Sequence, residues 1–171
     1  MNHKLPAIRI GLGFDTHRIE SGGSLKIGDL WIDCNLHAVG HSDADVLMHA
    51  ITDAILGSIC EPDIGQLFPD DRAENYDRNS ADFLLEALRR LHAKKMDIVN
   101  LDCVILAEAP RMAPYIIEMR ATLAKRLGID IDQVNIKAKT GEKVDAVGRG
   151  EAISARVVAL VASSEGRPTS G

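Results

Sequence analysis

Ser42-Asp43-Ala44-Asp45-Val46-Leu47-Met48-His49-Ala50-Ile51-Thr52-Asp53-Ala54-Ile55-Leu56-Gly57 is the stretch that decides the architecture. Val46, Leu47, Ala50, Ile51, Ala54 and Ile55 recur at helical spacing, which gives one helix face an apolar stripe. Ser42 followed by Asp45 fits the acidic form of a capping box, with Ser42 as the N-cap, and Gly57 stands where the helix would end. The segment before it is of a different kind. Ala7-Ile8-Arg9-Ile10-Gly11-Leu12-Gly13 reads as a short strand that stops on glycine.

Working outward, residues 25–32 form a strand or hairpin with Gly28 and Asp29 as its turn. Residues 61–72, rich in Pro, Asp and Gly, read as a polar loop. A second helix starts near Asn79 or Ser80 and buries Phe83, Leu84, Ala87, Leu88 and Leu91; Lys94 and Lys95 suit its last turn. Residues 98–107 are a strand, Pro114 opens a third helix, and Gly128 closes it. Residues 134–138 and 153–161 complete the strands. The expected fold is α+β, a mixed four-stranded sheet with helices packed on one face. The other face then needs cover, and burial against further subunits is one way to supply it. Residues 1–162 are expected to form a single domain, with 163–171 as a disordered polar tail.

A chain of 171 residues can bury a core without disulfide or zinc staples. Its net charge of -5 and lack of a Lys/Arg block argue against nucleic-acid binding through phosphates. No apolar run approaches a membrane span, and residues 157–162 are the purest one near the C-terminus. The N-terminus lacks the apolar stretch of a signal peptide. Cys34, Cys60 and Cys103 are odd in number and widely spaced, so they read as reduced, buried thiols of a cytoplasmic protein.

Asp15 and His17 are two apart, so in extended backbone their side chains point to one side. With His49 they would make three metal ligands and leave a fourth position for water or substrate. The plainer reading, a turn residue with a surface histidine, stays open on spacing alone. Gly11-Leu12-Gly13 is not a dinucleotide fingerprint, because Thr16 replaces the third glycine and Asp15 would oppose a pyrophosphate. His41, Ser42 and Asp43 are chain neighbours, an arrangement rare for a catalytic triad. His41 and the backbone N–H groups at the helix start could instead hold an anion. Taken alone, Asp63-Ile64-Gly65, Phe68-Pro69-Asp70, Thr140-Gly141-Glu142 and Gly148-Arg149-Gly150-Glu151 are satisfied by turn formation.

Together these segments resemble the 2-C-methyl-D-erythritol 2,4-cyclodiphosphate synthase family over residues 8–162. The resemblance rests on Gly13-Phe14-Asp15-Thr16-His17, the His41-to-Ala54 segment, Asp63-Ile64-Gly65 with Phe68-Pro69-Asp70, Ala109-Pro110-Arg111-Met112, and Gly148-Arg149-Gly150-Glu151. It implies a cytoplasmic lyase of non-mevalonate isoprenoid synthesis. Such an enzyme cyclises 4-diphosphocytidyl-2-C-methyl-D-erythritol 2-phosphate and releases CMP, as a homotrimer with active sites between subunits.

The same resemblance implies one zinc per chain on Asp15, His17 and His49, and a Mg²⁺ or Mn²⁺ on Glu142 at the substrate diphosphate. His41 and Thr140 would stabilise the transition state. Substrate contacts would come from Asp15, His17, His41 and Ser42, from Asp63, Ile64, Gly65, Phe68 and Asp70, and from Lys139, Thr140, Glu142 and Arg149. Ala107, Ala109, Pro110, Arg111 and Met112 would receive the cytosine, largely through backbone groups. Lys139, Gly141, the Arg72 side of its loop and Ala146 depart from the family pattern; many relatives carry an aromatic near position 146. Two other readings use the same residues: a zinc phosphohydrolase, and a non-catalytic nucleotide- or metal-binding homologue.

Overall fold

The computed structural model describes residues 7–40, 42–69 and 78–164. Its first strand, β1 (Ile8–Ser21), is 14 residues long and does not stop at Gly13. Gly11 and Gly13 are there for a different reason. Both face the first helix, α1 (Val46–Ser58). A Cβ on Gly11 would lie 1.9 Å from the Ala54 carbonyl oxygen, and one on Gly13 would lie 1.8 Å from that of Ala50. Glycine lets the helix backbone rest directly on the strand; it does not turn the chain.

The hairpin β2 (Ser24–Ile27) and β3 (Leu30–Asp33) forms where expected, but as a separate two-stranded sheet. Gly28 and Asp29 turn it with φ of 60° and 63°, the doubly left-handed turn that suits a two-residue hairpin. A strand absent from the sequence reading follows, β4 (Leu36–Val39), antiparallel to residues 18–21 of β1. With β5 (Met96–Leu106), β6 (Val134–Lys139) and β7 (Ala152–Ser163), the main sheet has five strands in the order β4-β1-β7-β5-β6. The expected count of four is therefore too low. Leu36-His37-Ala38-Val39 is a short, half-buried edge strand with no alternation to betray it.

Among the described strands, only β5 and β6 pair in parallel, and their crossover carries helix α4 (Ile116–Leu127). A 3-10 turn with Pro114 at its start leads into α4, and Gly128, at φ 68°, caps its end. Helix α3 (Ser80–Ala93) begins at N-cap Asn79 and buries the five residues predicted for it. A one-turn helix, α2 (Ile64–Leu67), interrupts the expected polar loop.

The start of α1 needs correction. Asp45, not Ser42, is the N-cap, and its buried carboxylate accepts from Met48 N at 3.0 Å. The same carboxylate accepts from Gly28 N at 2.9 Å and Asp29 N at 2.7 Å, which ties the helix to the hairpin turn. Ala44, at φ 53°, breaks any helix that would begin earlier.

Alternate residues of β1 separate the two faces of the sheet. Gly11, Gly13, Asp15 and His17 face α1, whereas Ile8, Ile10, Leu12 and Phe14 stay 55–71% exposed on the opposite side. An apolar face this open is unusual for a monomer. Among the cysteines, Cys103 is buried but Cys60 is exposed, contrary to the expectation that all were buried. Strand β7 runs through Ser163, and Ser164 N donates to Lys95 O, both beyond the expected domain limit of 162. Among the described residues, no helix is long and apolar enough to cross a membrane.

Candidate active site

The close seat of α1 on β1 places His49 directly over Asp15 and His17. Asp15 Oδ2 lies 2.9 Å from His49 Nδ1 and 3.0 Å from His17 Nε2, and the two nitrogens are 3.2 Å apart. Three electron-pair donors thus converge on one point. Ligands at 2.0–2.1 Å from a tetrahedral zinc are separated by roughly 3.3 Å along each edge, so these spacings suit a single small cation. Protons alone serve the cluster poorly, since one hydrogen cannot lie along all three contacts. Burial would raise the Asp15 carboxyl, but the adjoining His17 and His49 rings outweigh that and hold it well below the usual carboxylate range. A Cβ on Gly40 would crowd the Ala44 Cβ at 3.0 Å and touch the His17 ring at 3.4 Å.

The cluster forms one wall of a cavity of about 380 Å³, also lined by Val39, Gly40, Ser42, Ile64, Gly65, Phe68 and Phe83. That size suits a small-molecule ligand. Phe83 stacks at 5.7 Å from His49 and at 4.8 Å from Phe68, forming an apolar side wall. Asp53, one turn beyond His49 on α1, accepts from Ile64 N at 2.9 Å and so fixes α2 at the cavity mouth. Burial, with the charges of Asp63 and Asp15, raises its carboxyl despite that hydrogen bond. Asp63 itself caps α2 by accepting from Gln66 N at 2.8 Å.

Of the residues expected to act, Asp15, His17, Ser42, His49, Ile64, Gly65 and Phe68 therefore surround one space. His41, Asp70 and Arg72 lie outside the described residues. Residues 107–112 and 139–142, with Arg149, do not line this cavity. Ala107 and Met112 are buried, and the Ala109–Pro110 peptide is cis. Register explains the separation. Thr16, Ser154, Leu106 and Lys139 form one row across β1, β7, β5 and β6, so Lys139 is three strand spacings, roughly 14 Å, from Thr16. In the exposed turn after β6, Thr140 Oγ1 donates to Glu142 Oε1 at 3.1 Å. Arg149 there pairs with Glu151 at 2.9 Å.

Three participants escaped the sequence reading: Lys26, Asp43 in its present role, and Ser80. Ser80 Oγ lies 2.8 Å from His49 Nε2 and also donates to Asp43 Oδ1, while Ser80 N donates to Asp43 Oδ2 at 3.1 Å. Lys26 Nζ donates to Asp43 Oδ2 at 2.6 Å and lies 3.3 Å from Asp29 Oδ1. Burial opposes ionisation of Asp43, yet the Lys26 and Ser80 hydrogen bonds lower its carboxyl below the usual range. The one signal available was Asn79-Ser80 as a helix start, which says nothing of its destination.

A model of the YgbB family matches residues 8–162. A curated relative from Rhodopirellula baltica, 2-C-methyl-D-erythritol 2,4-cyclodiphosphate synthase, is 57% identical over 155 residues, spanning 91% of this chain and 93% of its own. A protein of the same name from Alkaliphilus metalliredigens is 46% identical and spans 93% of this chain and 100% of its own. Among solved structures, the Plasmodium falciparum IspF CDP complex superimposes with a TM-score of 0.82 at 32% identity, covering 94% of this chain and 99% of that one. The chain belongs to the YgbB family of 2-C-methyl-D-erythritol 2,4-cyclodiphosphate synthases.

Proposed function

We propose that this enzyme cyclises 4-diphosphocytidyl-2-C-methyl-D-erythritol 2-phosphate to 2-C-methyl-D-erythritol 2,4-cyclodiphosphate and releases CMP, in isoprenoid synthesis. The observation that carries the reading is the Asp15–His17–His49 cluster in a cavity wall, in a chain of this family. The 2-phosphate of the substrate is its own nucleophile, attacking the β-phosphorus while CMP leaves. The protein's task is to bring like charges together. Two unit charges 4 Å apart repel by about 4 kcal/mol at an effective dielectric near 20.

Asp15 Oδ2, His17 Nε2 and His49 Nδ1 would hold zinc, one ion per chain. Zinc, when bound, supplies Lewis acidity that offsets phosphate charge. Glu142 would hold a Mg²⁺ or Mn²⁺ at the diphosphate, with Lys139 and Thr140 beside it. Thr140 and His41 would stabilise charge in the transition state. Ser42, Asp63, Ile64, Gly65, Phe68 and Asp70 would receive the erythritol and ribose side, and Arg149 the phosphates. Residues 107–112 would take the cytosine on backbone groups. Holding the ends in a near-attack pose can contribute roughly 7 kcal/mol or more.

The proposed assembly is a cytoplasmic homotrimer, in which the turn after β6 of one subunit approaches the metal-ligand cluster of the next. Two features support it: the exposed apolar face of β1, and the roughly 14 Å across the sheet between the two sets of residues. Residues 1–162 would act as one domain, whose last strand runs on through Ser163.

The test is incubation of purified protein with the cytidyl substrate, following products by phosphorus NMR. Cyclic diphosphate and CMP in equal amounts are expected. Linear phosphate products without the cyclic one would replace this reading with the phosphohydrolase, and no turnover would favour a non-catalytic homologue. Light scattering should report three chains per particle.

A further inference from the structure

We propose that Ser80, held by Asp43 and Lys26, is a positioning residue that sets the tautomer of His49 so that Nδ1 presents a bare lone pair to the cation. The inference rests on the reading of Asp15, His17 and His49 as metal ligands, and deepens it.

The argument follows the protons. Asp43 is gripped by the Lys26 ammonium at 2.6 Å, so its carboxylate can only accept. It accepts twice from Ser80, once from the backbone N–H and once from the hydroxyl. With its single proton committed to Asp43, Ser80 Oγ faces His49 Nε2 as an acceptor at 2.8 Å. Ser42 Oγ, which accepts from Ala44 N at 3.1 Å, is the more distant neighbour of the same nitrogen at 3.2 Å. The closer contact, to the Ser80 oxygen, thus favours the proton on Nε2.

In a neutral ring Nδ1 is left bare, 2.9 Å from the Asp15 carboxylate oxygen. Lone pairs that face each other at this distance repel, and a cation between them turns the conflict into two bonds. Histidine ligands elsewhere are oriented directly by a carboxylate or a carbonyl. Here a hydroxyl is interposed, and each participant comes from a different element: α1, the first turn of α3, the segment before α1, and β2. Lys26 and Ser80 are both buried, so water cannot easily substitute for either.

Ser80→Ala removes only the hydroxyl. Asn79 continues to cap α3, and the backbone N–H of residue 80 is retained. Zinc affinity, measured by competition with a chromophoric chelator, should weaken about 10- to 100-fold, and Ser80→Thr should recover most of it. Nitrogen-15 NMR of the zinc-free protein should show His49 protonated at Nε2 in the wild type and a tautomer mixture in Ser80→Ala. A merely structural role would move the thermal midpoint and leave that signature unchanged. Wild-type zinc affinity in Ser80→Ala would overturn this proposal and leave the metal assignment standing. A wild-type protein that binds no zinc would overturn both. Should Ser80→Ala fail to fold, the wild-type spectrum decides alone: a neutral His49 protonated at Nδ1 overturns the proposal.

Discussion

Asp15 and Glu142 are both assigned to metal ions, yet their surroundings are opposite. Asp15 sits in the middle of a long strand, touches two histidines, and lies under a helix whose approach two glycines permit. Glu142 stands on an exposed turn at φ 50°, followed by Lys143 at φ 61°, and bonds only its near neighbour Thr140. A left-handed backbone at two successive non-glycine residues is strained. One group is enclosed by packed elements; the other lies open on a turn. The comparison teaches that a cluster closed within the fold and a turn open to solvent are made by different means, packing in the first and backbone conformation in the second.

The largest effect should come from breaking the closed cluster. His17→Ala should abolish stoichiometric zinc by metal analysis and lower turnover about a thousandfold, equivalent to ~4 kcal/mol of transition-state stabilisation. Full zinc occupancy in that variant would contradict the assignment.

Next comes the support behind it. Asp43→Asn removes the closer of the two carboxylates beside the buried Lys26 charge, leaving Asp29 at 3.3 Å, and should cost about 2 kcal/mol, a midpoint fall of roughly 6 °C. The sign with pH follows from both partners. The Asp43 carboxyl is lowered on folding, so its contribution is present above about pH 4 and fades as pH falls through its folded value. Burial opposes the Lys26 charge, but Asp43 and Asp29 raise its ammonium above the ordinary value. Its contribution therefore holds below about pH 10 and is lost as pH rises through the folded value. The midpoint gap between wild type and variant should be widest between those limits. A gap that does not change with pH would show that the pair is not its source.

Gly13→Ala should cost about 2 kcal/mol, because the new methyl meets the Ala50 carbonyl and must push α1 away. Zinc affinity should fall with stability, since the displaced helix carries His49. An unchanged zinc affinity would mean that the helix seat does not set the cluster.

The smallest change in free energy is expected at the open turn. Glu142→Gln should leave zinc content unaltered and the midpoint within about 0.5 kcal/mol of wild type. Turnover should drop about tenfold, ~1.4 kcal/mol, with partial recovery at high Mg²⁺. Loss of zinc from this variant would erase the distinction between the two regions.

Much of this was legible in the sequence, and the failures have physical causes. The apolar spacing of Val46, Leu47, Ala50, Ile51, Ala54 and Ile55 located α1, because helical periodicity is a local signal. The parity of Asp15 and His17 held for the same reason, since both lie on the α1 side of β1. The length of β1 was misread because glycine and polar residues normally end strands, and only the approach of α1 justifies them here. Ser42 was taken for the cap of α1 because its spacing to Asp45 is right. The tertiary demand on Asp45, which must also hold the Gly28–Asp29 turn, moved the cap. Ser80 and Lys26 could not be found in this way, as 53 residues separate Lys26 from Asn79, yet their side chains meet at 3.4 Å. The separation of Glu142 from Asp15 was equally hidden, because it depends on strand order.

Strand order has another consequence, for synthesis. The middle strand of the sheet, β7, is the last strand among the described residues, and it pairs with β1 along eleven residues, from Ile8 opposite Ala162 to Arg18 opposite Ala152. On the ribosome, β1 emerges well before this partner exists, because β2 to β6 and the helices lie between them in the chain. Closing so long a loop is entropically costly and slow compared with local helix formation. A nascent or truncated chain lacking β7 therefore displays two unpaired strand edges, on β1 and β5, together with the apolar side chains of Ile8, Ile10, Leu12 and Phe14. That is the kind of surface chaperones bind and aggregates grow from. The strand that carries Asp15 and His17 is thus secured only once β7 has been made.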